Sequence, residues 1–131
     1  MPRQIFINLP VKDLGKSKDF FGTLGFSFKQ QFTNDDAACL IVADNISVML
    51  LSHDHFKKFT KKEICDSTKS TEALLCLSCQ SRAEVDDLVA KAVGSGGSIP
   101  REPEDHGFMY GHAFEDLDGH TWELIYMEDN K

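Results

Sequence analysis

The sequence lacks long apolar runs and an excess of basic residues. Apolar stretches such as Val48–Leu51 fall far short of the roughly 20 residues that a membrane-spanning helix needs. Asp and Glu outnumber Lys and Arg by 21 to 14, which gives a net charge of −7. An acidic chain is poorly suited to nucleic acid or an anionic membrane surface. We therefore expect neither as a partner.

Framework cysteines and phosphate-binding loops are also missing. Four cysteines without disulfide-framework spacing, together with a start that has no signal-peptide pattern, predict reduced thiols in the cytoplasm. Cys76 and Cys79 form a single Cys-x-x-Cys within a predicted strand, where residues three apart point to opposite faces. Buried thiols are therefore a better interpretation than a zinc or redox site. Neither a Gly-rich phosphate loop nor a nucleophile elbow occurs.

The 131 residues predict one α+β domain made of two repeats, at about 4–66 and 72–128. Each repeat has the order strand, helix, strand, strand, strand (βαβββ). Asp13 is a cap for the first helix and Gly25 its stop, and Ser81-Arg-Ala-Glu84 is a capping box for the second. A short amphipathic helix is expected at 53–64, followed by a polar linker. The predicted strands are 5–11, 26–32, 37–42, 46–51, 73–79, 98–101, 108–114 and 121–127.

Glu123 is the unusual residue of the last strand. Asp116-Leu-Asp-Gly119 predicts a hairpin turn, and alternation places Trp122 and Leu124 on one face with Glu123 on the other. A carboxylate at the centre of an apolar strand costs free energy unless something binds it. Glu123 is thus a candidate binding or catalytic residue.

Two motifs near the chain ends resemble a known family. Asp116-x-Asp-Gly-x-x-Trp-Glu-Leu124 is similar to the closing hairpin of the vicinal oxygen chelate superfamily, the glyoxalase/bleomycin-resistance/dioxygenase proteins. Asn8-Leu-Pro-Val-Lys-Asp-Leu-Gly-Lys-Ser-Lys-Asp-Phe-Phe21 resembles the family's first strand and helix. The resemblance, nearest to the glyoxalase-like branch, implies that the two repeats curl a mixed sheet around a ligand cavity, with the helices outside.

The resemblance also implies where a metal would bind. In metal-dependent relatives four side chains from four strands hold a divalent ion, and the motifs place these positions at Phe6, Leu50, Leu74 and Glu123. Only Glu123 carries an oxygen or nitrogen donor of the kind that such ions take. We therefore expect no metal cofactor, and a ring in which apolar side chains would disfavour the charged form of Glu123.

Other polar residues are candidates for ligand contact. Tyr110 and His112 lie where the family's layout has the cavity mouth, and Asn8 shares a strand face with Phe6. Asn8 or Tyr110 is the expected hydrogen-bond partner of Glu123 if that residue is structural. A non-standard metal site could use His53, His55, His106 or His112, although solvated histidines are the better interpretation of the first two. His120 is expected at the surface, and Asp116-x-Asp118-Gly119 is a better hairpin turn than calcium loop.

The sequence is compatible with three classes of function. The first is a protein that binds or sequesters a small organic molecule without metal, similar to the bleomycin-resistance branch. The second is an enzyme: either a glyoxalase I (lactoylglutathione lyase)-like protein or other metal-dependent catalyst with a non-standard ligand set, or a metal-free acid–base catalyst using Glu123. The third is an interaction module with a filled cavity. Apolar Phe56 and Phe59 in a stretch that also carries lysines predict a homodimer.

Overall fold

The computed structural model describes residues 2–128 as two compact units, with the boundary between Cys65 and Asp66. Each unit contains one strand–helix–strand–strand–strand repeat, so the predicted α+β class and internal repeat are confirmed. Hydrogen bonding gathers the strands of each unit into its own four-stranded mixed sheet. No helix within residues 2–128 is long and apolar enough to cross a membrane.

In the first unit the strand order is β1-β4-β3-β2, with β1 parallel to β4 and the other pairs antiparallel. The helix α1 connects β1 to β2 at the opposite edge of the sheet. A 3₁₀ turn and loop join β2 to β3, and a tight turn joins β3 to β4, which lies parallel beside β1. The core includes Phe21, Leu40 and Leu50, which are essentially inaccessible. The elements are β1 (Ile5–Val11), α1 (Leu14–Thr23), β2 (Ser27–Phe28), β3 (Ala37–Ala43), β4 (Ile46–Ser52) and α2 (His53–Phe56).

The second unit repeats this plan in the order β5-β8-β7-β6, with β5 parallel to β8. Its core is centred on Trp122 and Phe114, whose rings stack with centroids 6.2 Å apart, and Val85 of the helix is also buried. The elements are β5 (Leu74–Ser78), α3 (Arg82–Gly94), β6 (Glu104–Asp105), β7 (Met109–Glu115) and β8 (Thr121–Met127).

The second sheet has two chemically different faces. The Tyr110 hydroxyl donates to Asp86 of α3 at 2.6 Å, so the face that carries Tyr110 packs against the helix. His112 pairs with Leu124 on that same face. Glu123 pairs with Cys76 on one side and Ala113 on the other, and alternation puts these three on the opposite face. We call this opposite surface the helix-free face.

Two predicted strands and one predicted helix are shorter or displaced. The strand predicted at 26–32 is limited to β2 and continues as a 3₁₀ turn at Gln30–Phe32. The strand predicted at 98–101 is wrong: Ser98 forms an isolated bridge to Glu115, and pairing resumes only at β6. Pro100 and Pro103 explain the gap, because proline has no N–H to donate to a strand. The helix predicted at 53–64 ends after one turn and a 3₁₀ segment, Lys57–Phe59.

Both predicted helix caps form. The Asp13 side chain accepts from the Lys16 amide at 3.1 Å, and Ser81 Oγ accepts from the Glu84 amide at 3.0 Å. The second hydrogen bond of the capping box differs by one residue, because Glu84 accepts from the amide of Gln80 at 2.6 Å rather than from that of Ser81.

Two observations explain why the hairpin turn needs glycine at position 119. Gly119 has φ +86°, which side chains disfavour, and a Cβ there would lie 2.7 Å from the Ser67 carbonyl oxygen.

We expect Ser81→Ala to lower the free energy of unfolding by about 1 kcal/mol, because the Glu84 amide loses its acceptor at the start of α3. Urea denaturation of the variant and the parent measures the effect. Ser70→Ala is the matched control, since Ser70 lies in an exposed loop. Equal midpoints for Ser81→Ala and the parent would show that the cap does not stabilise the helix.

Candidate functional site

Glu123 is held by an arginine on the helix-free face. Arg101 Nη2 donates to Glu123 Oε2 at 2.8 Å, and its Nη1 donates to Glu104 Oε1 at 3.0 Å. The Arg101 side chain is 39% exposed and that of Glu123 is 22% exposed. The group is thus an ion pair that solvent, or a small molecule, can reach from one side.

The strand register explains how the two charges meet. Glu123 lies at the centre of β8, while Arg101 belongs to the segment before β6, beyond β7 at the sheet edge. The arginine must therefore extend across β7 to reach β8. Ala113, which pairs with Glu123 on β7, has the small side chain that this crossing needs.

Sequence reasoning did not identify Arg101. The predicted strand at 98–101 assigned it to a regular ladder, whereas it lies in an irregular segment between two prolines. The signal was nevertheless present in Glu123 itself, since a partly buried carboxylate requires a partner. The expected alternative partner, the Tyr110 hydroxyl, donates instead to Asp86, and the amide of Asn8 donates weakly to the Phe6 carbonyl at 3.4 Å.

The pKa values of the two nearby thiols, Cys76 and Cys79, are raised. Partial desolvation raises the pKa of Cys76, the negative charge of Glu123 raises it further, and Arg101 opposes the shift. Burial, followed by the charge of Glu84 and the neighbouring Cys76, raises the pKa of Cys79 to about 11. Protonated thiols are poor nucleophiles and metal ligands. Cys76 is exposed, so the expectation that both thiols are buried is wrong, and the zinc and redox interpretations gain nothing.

Comparison of the two units corrects one predicted site position. Cys76 lies five residues before the cap Ser81 and pairs with Glu123; Asn8 lies five before the cap Asp13 and pairs with Met49. Met49 is therefore the first unit's counterpart of Glu123. Leu50 pairs with Leu9, which puts it on the face opposite Phe6 and Asn8, with 0% exposure. The family motifs had placed this position one residue too far along β4, and a shift of one residue puts a side chain on the other face of a sheet.

The corrected positions do not fit a divalent metal. Phe6, Leu74 and Met49 carry two hydrocarbon side chains and a thioether, none of which replaces the oxygen and nitrogen ligands of such an ion. Phe6 and Leu74 are 46% and 57% exposed. Glu123, the one suitable donor, already has an arginine at 2.8 Å. No mechanism step through a metal follows from these residues.

Tyr110 and His112 are not brought together with Glu123. Both lie on the face that packs against α3, where the guanidinium of Arg82 sits 5.2 Å from the Tyr110 ring centroid. His112 is buried, and its Nδ1 has no partner among the described residues. A ligand-contacting role for these two residues stays a prediction, but it cannot be exerted on the helix-free face.

The remaining histidines do not assemble as predicted ligand pairs. His53 and His55 start α2, where residues two apart do not share a face, and the His55 ring packs edge-on against Phe59 at 5.4 Å. His106 Nε2 lies 3.2 Å from Glu104 Oε2, at the outer end of the ion-pair group that contains Arg101. A metal role for them is not supported by these contacts.

Asp116 organises the hairpin that presents Glu123. One of its carboxylate oxygens accepts from the amides of Asp118 and His120, and the other lies 2.9 Å from His120 Nδ1 and accepts from the Trp122 indole. His120 is buried, so the expectation that it lies at the surface is wrong. Asp116, Asp118 and His120 have ligand atoms within 4.8 Å of one another, but the bonds at Asp116 use both of its oxygens. These hydrogen bonds stabilise the turn of the hairpin, in agreement with the predicted turn.

Family comparison fits this geometry. Residues 3–124 match the model of the Glyoxalase/Bleomycin resistance protein/Dioxygenase superfamily, and the chain belongs to that superfamily. No functionally curated protein matches the sequence. The predicted family is therefore confirmed by a model that covers most of the chain.

Solved structures share the fold. A hypothetical protein from S. aureus is 30% identical, with a TM-score of 0.81 over 96% of this chain and 95% of that one. A glyoxalase-related enzyme from Fulvimarina pelagi is 20% identical, with a TM-score of 0.80 over 96% and 88%. A fosfomycin resistance protein from Listeria monocytogenes is 20% identical, with a TM-score of 0.68 over 100% and 95%. At 20% identity these last two likenesses concern the fold alone.

The Asp116–His120 contact predicts a pH-dependent stability. Burial alone would lower the pKa of His120, but the hydrogen bond to Asp116 and the charges of Asp116 and Asp118 raise it above the usual 6.5. A raised folded-state pKa means that the folded protein binds the proton more tightly. The resulting stabilisation is complete below about pH 6.5 and is lost as pH rises through the folded value.

We expect the free energy of unfolding of the parent to fall across this neutral-to-alkaline window. His120→Gln removes the titrating group, so its stability should fall less steeply over the same window. Urea titrations at a series of pH values measure both slopes. His106→Gln, which alters an exposed histidine, is the control and should keep the parental slope. Parallel curves for His120→Gln and the parent would contradict the assignment.

Proposed function

We propose that the protein binds a small organic molecule on the helix-free face of the second sheet and does so without a metal ion. The observation that carries the proposal is the ion pair between Arg101 and Glu123. It places a hydrogen-bond donor and an acceptor together on a face that α3 does not cover. Such polar groups, few in number and fixed in position, are what orient a ligand in a binding site.

The residues around the ion pair have small side chains. Cys76 and Ala113 flank Glu123 with small side chains, and Gly111 lies next along β7 on the same face. A Cβ at Gly111 would meet Ile125 Cγ2 at 3.6 Å, an ordinary contact, so a side chain could be added there without a clash.

The absence of a donor set supports binding over metal-dependent catalysis. Activation of a substrate by a divalent ion requires several hard ligands, and the corrected positions offer a single carboxylate. This favours sequestration, as in the bleomycin-resistance branch of the superfamily. It disfavours the glyoxalase I-like lyase.

A metal-free acid–base enzyme is the second candidate. Glu123 Oε2 is bound by Arg101, while no residue of the described chain bonds to Oε1. An oxygen with a free lone pair on a rigid strand can accept a proton from a bound molecule. Binding comes first in either case, so the two candidates share the same site.

We also propose that the chain forms a homodimer and works in a reducing compartment such as the cytoplasm. Phe59 is 71% exposed, and Lys57, Lys58, Lys61 and Lys62 flank it in the sequence of an otherwise acidic protein. A second copy offers both apolar and acidic surface to such a segment. Four free cysteines support the reducing compartment.

Binding and metal content can be tested on one preparation. We expect native mass spectrometry of protein purified from a cell extract to reveal an organic adduct, and elemental analysis to find no stoichiometric zinc, nickel or iron. Gly111→Val should remove the adduct, since its side chain fills the face beside Ile125. Gly22→Ala, on an exposed helix position with nothing within 4 Å, should retain it. Stoichiometric metal, or an adduct unaffected by Gly111→Val, would contradict the proposal.

The dimer has a separate test. We expect light scattering on a sizing column to give twice the 14.7 kDa chain mass for the parent. Phe59→Ser should shift the equilibrium towards the monomer because it removes the exposed aromatic surface, whereas Phe32→Ser, at another exposed position, should not. A parent that elutes as a single 14.7 kDa species at micromolar concentration would rule out the dimer.

A further inference from the structure

The guanidinium of Arg101 is preorganised for ligand binding. Two carboxylates, Glu104 and Glu123, each accept one hydrogen bond from its guanidinium, at 3.0 and 2.8 Å. A guanidinium has more N–H donors than these, and no other residue of the described chain accepts from it. Because the protein already fixes the guanidinium, little rotamer freedom is lost when a ligand takes the remaining donors.

Glu123 supplies the opposite charge beside it. Its Oε2 accepts from Arg101, and its Oε1 is not bonded within residues 2–128. The carboxylate is fixed by a central strand of the sheet rather than by a loop. A ligand at this point therefore meets a positive donor and a negative acceptor whose atoms are separated by one hydrogen bond.

The charge pattern selects among ligand classes. An anion would be attracted by Arg101 but repelled by Glu123 and Glu104, whereas a cation would be attracted by the two carboxylates but repelled by Arg101. A molecule with an ammonium next to a carboxylate meets an opposite charge at both points. Such a zwitterion has no net charge, so the net charge of −7 on the chain neither draws it in nor repels it.

We propose that the helix-free face binds a zwitterionic amino-carboxylate, with its carboxylate on Arg101 and its ammonium on Glu123. This inference rests on the proposed function and adds the chemical class of the ligand and a specificity-determining residue, Arg101. Leu74, paired with Thr121, and Ile125 lie on the same face on either side of Glu123. They offer apolar contact to the ligand's side chain, which indicates an α-amino acid bearing an apolar group.

The experiment compares whole and dissected ligands. The L-amino acids are titrated singly into isotopically labelled protein, and amide shifts of β7 and β8 are followed by NMR. For phenylalanine the matched fragments are phenethylamine, which lacks the carboxylate, and 3-phenylpropionate, which lacks the ammonium. We expect at least one apolar amino acid to bind about tenfold or more tightly than either of its fragments, as the loss of one charge-assisted hydrogen bond requires.

Two variants separate the charges. Arg101→Gln should weaken binding of the amino acid about tenfold or more, and Glu123→Gln should do the same. The affinities for the two fragments distinguish the variants. Arg101→Gln should improve the affinity for phenethylamine, because it removes the positive charge that repels the amine. Glu123→Gln should improve the affinity for 3-phenylpropionate, because it removes the negative charge that repels the acid. Arg82→Gln is the matched control, since Arg82 is equally exposed and paired with Asp105 at 2.8 Å but anchors α3.

Each outcome bears on the inference. Loss of amino-acid binding in both site variants, with the fragment affinities shifted in opposite directions and Arg82→Gln unchanged, supports it. If no amino acid shifts the β7 and β8 amides, or if the fragments bind as well as the whole, the inference is overturned. The proposed function survives that result when native mass spectrometry still shows an organic adduct that Gly111→Val removes. It fails as well when no adduct is found.

Discussion

A single buried carboxylate sets the geometry on which the second unit depends. Asp116 satisfies the amides of the tight turn and the ring nitrogens of His120 and Trp122, so it joins the turn to the largest core side chain. Hydrogen bonds to a charged acceptor are stronger than neutral ones, and burial prevents water from competing for them. With the turn fixed, the register of β7 on β8 is fixed too. That register decides that Trp122 enters the core while Glu123 emerges on the helix-free face.

Much of this architecture could be predicted because local chemistry and the global fold agree. The strand at Ile5–Val11 has the predicted bounds, Asp13 and Ser81 cap the predicted helices, and the hairpin glycine has the positive φ that its turn requires. Apolar alternation and capping residues act over a few positions, so a sequence is enough to predict their effect. The conformation of the segment around Arg101 could not be predicted, because two prolines prevent strand pairing without indicating what replaces it.

The site was harder to predict because it depends on which residues face each other across strands. The placement of Glu123 on the face opposite Trp122 and Leu124 followed from alternation alone. Its partner did not, since Arg101 is distant in sequence and joins it only by crossing a neighbouring strand. Leu50 lies on the strand face opposite Phe6 and Asn8, and His112 and Tyr110 lie on the face of their sheet that packs against α3. The register between strands decides which side chains share a face of the sheet, and a single sequence does not determine that register.

The equivalence of Met49 and Glu123 has a consequence for how such a protein can change. Both occupy matching places in duplicated halves, yet neither contributes to the buried layer beneath the helices, where Leu50 and Leu124 lie. Substitutions at these two partly exposed places therefore alter chemistry at a smaller cost to folding than substitutions in the core. Duplication gives two such places on one scaffold, and one can diverge while the other is retained. The fold can therefore change its ligand with little loss of stability. The residues on the helix side of each strand stabilise the fold, and those on the opposite face determine what it binds.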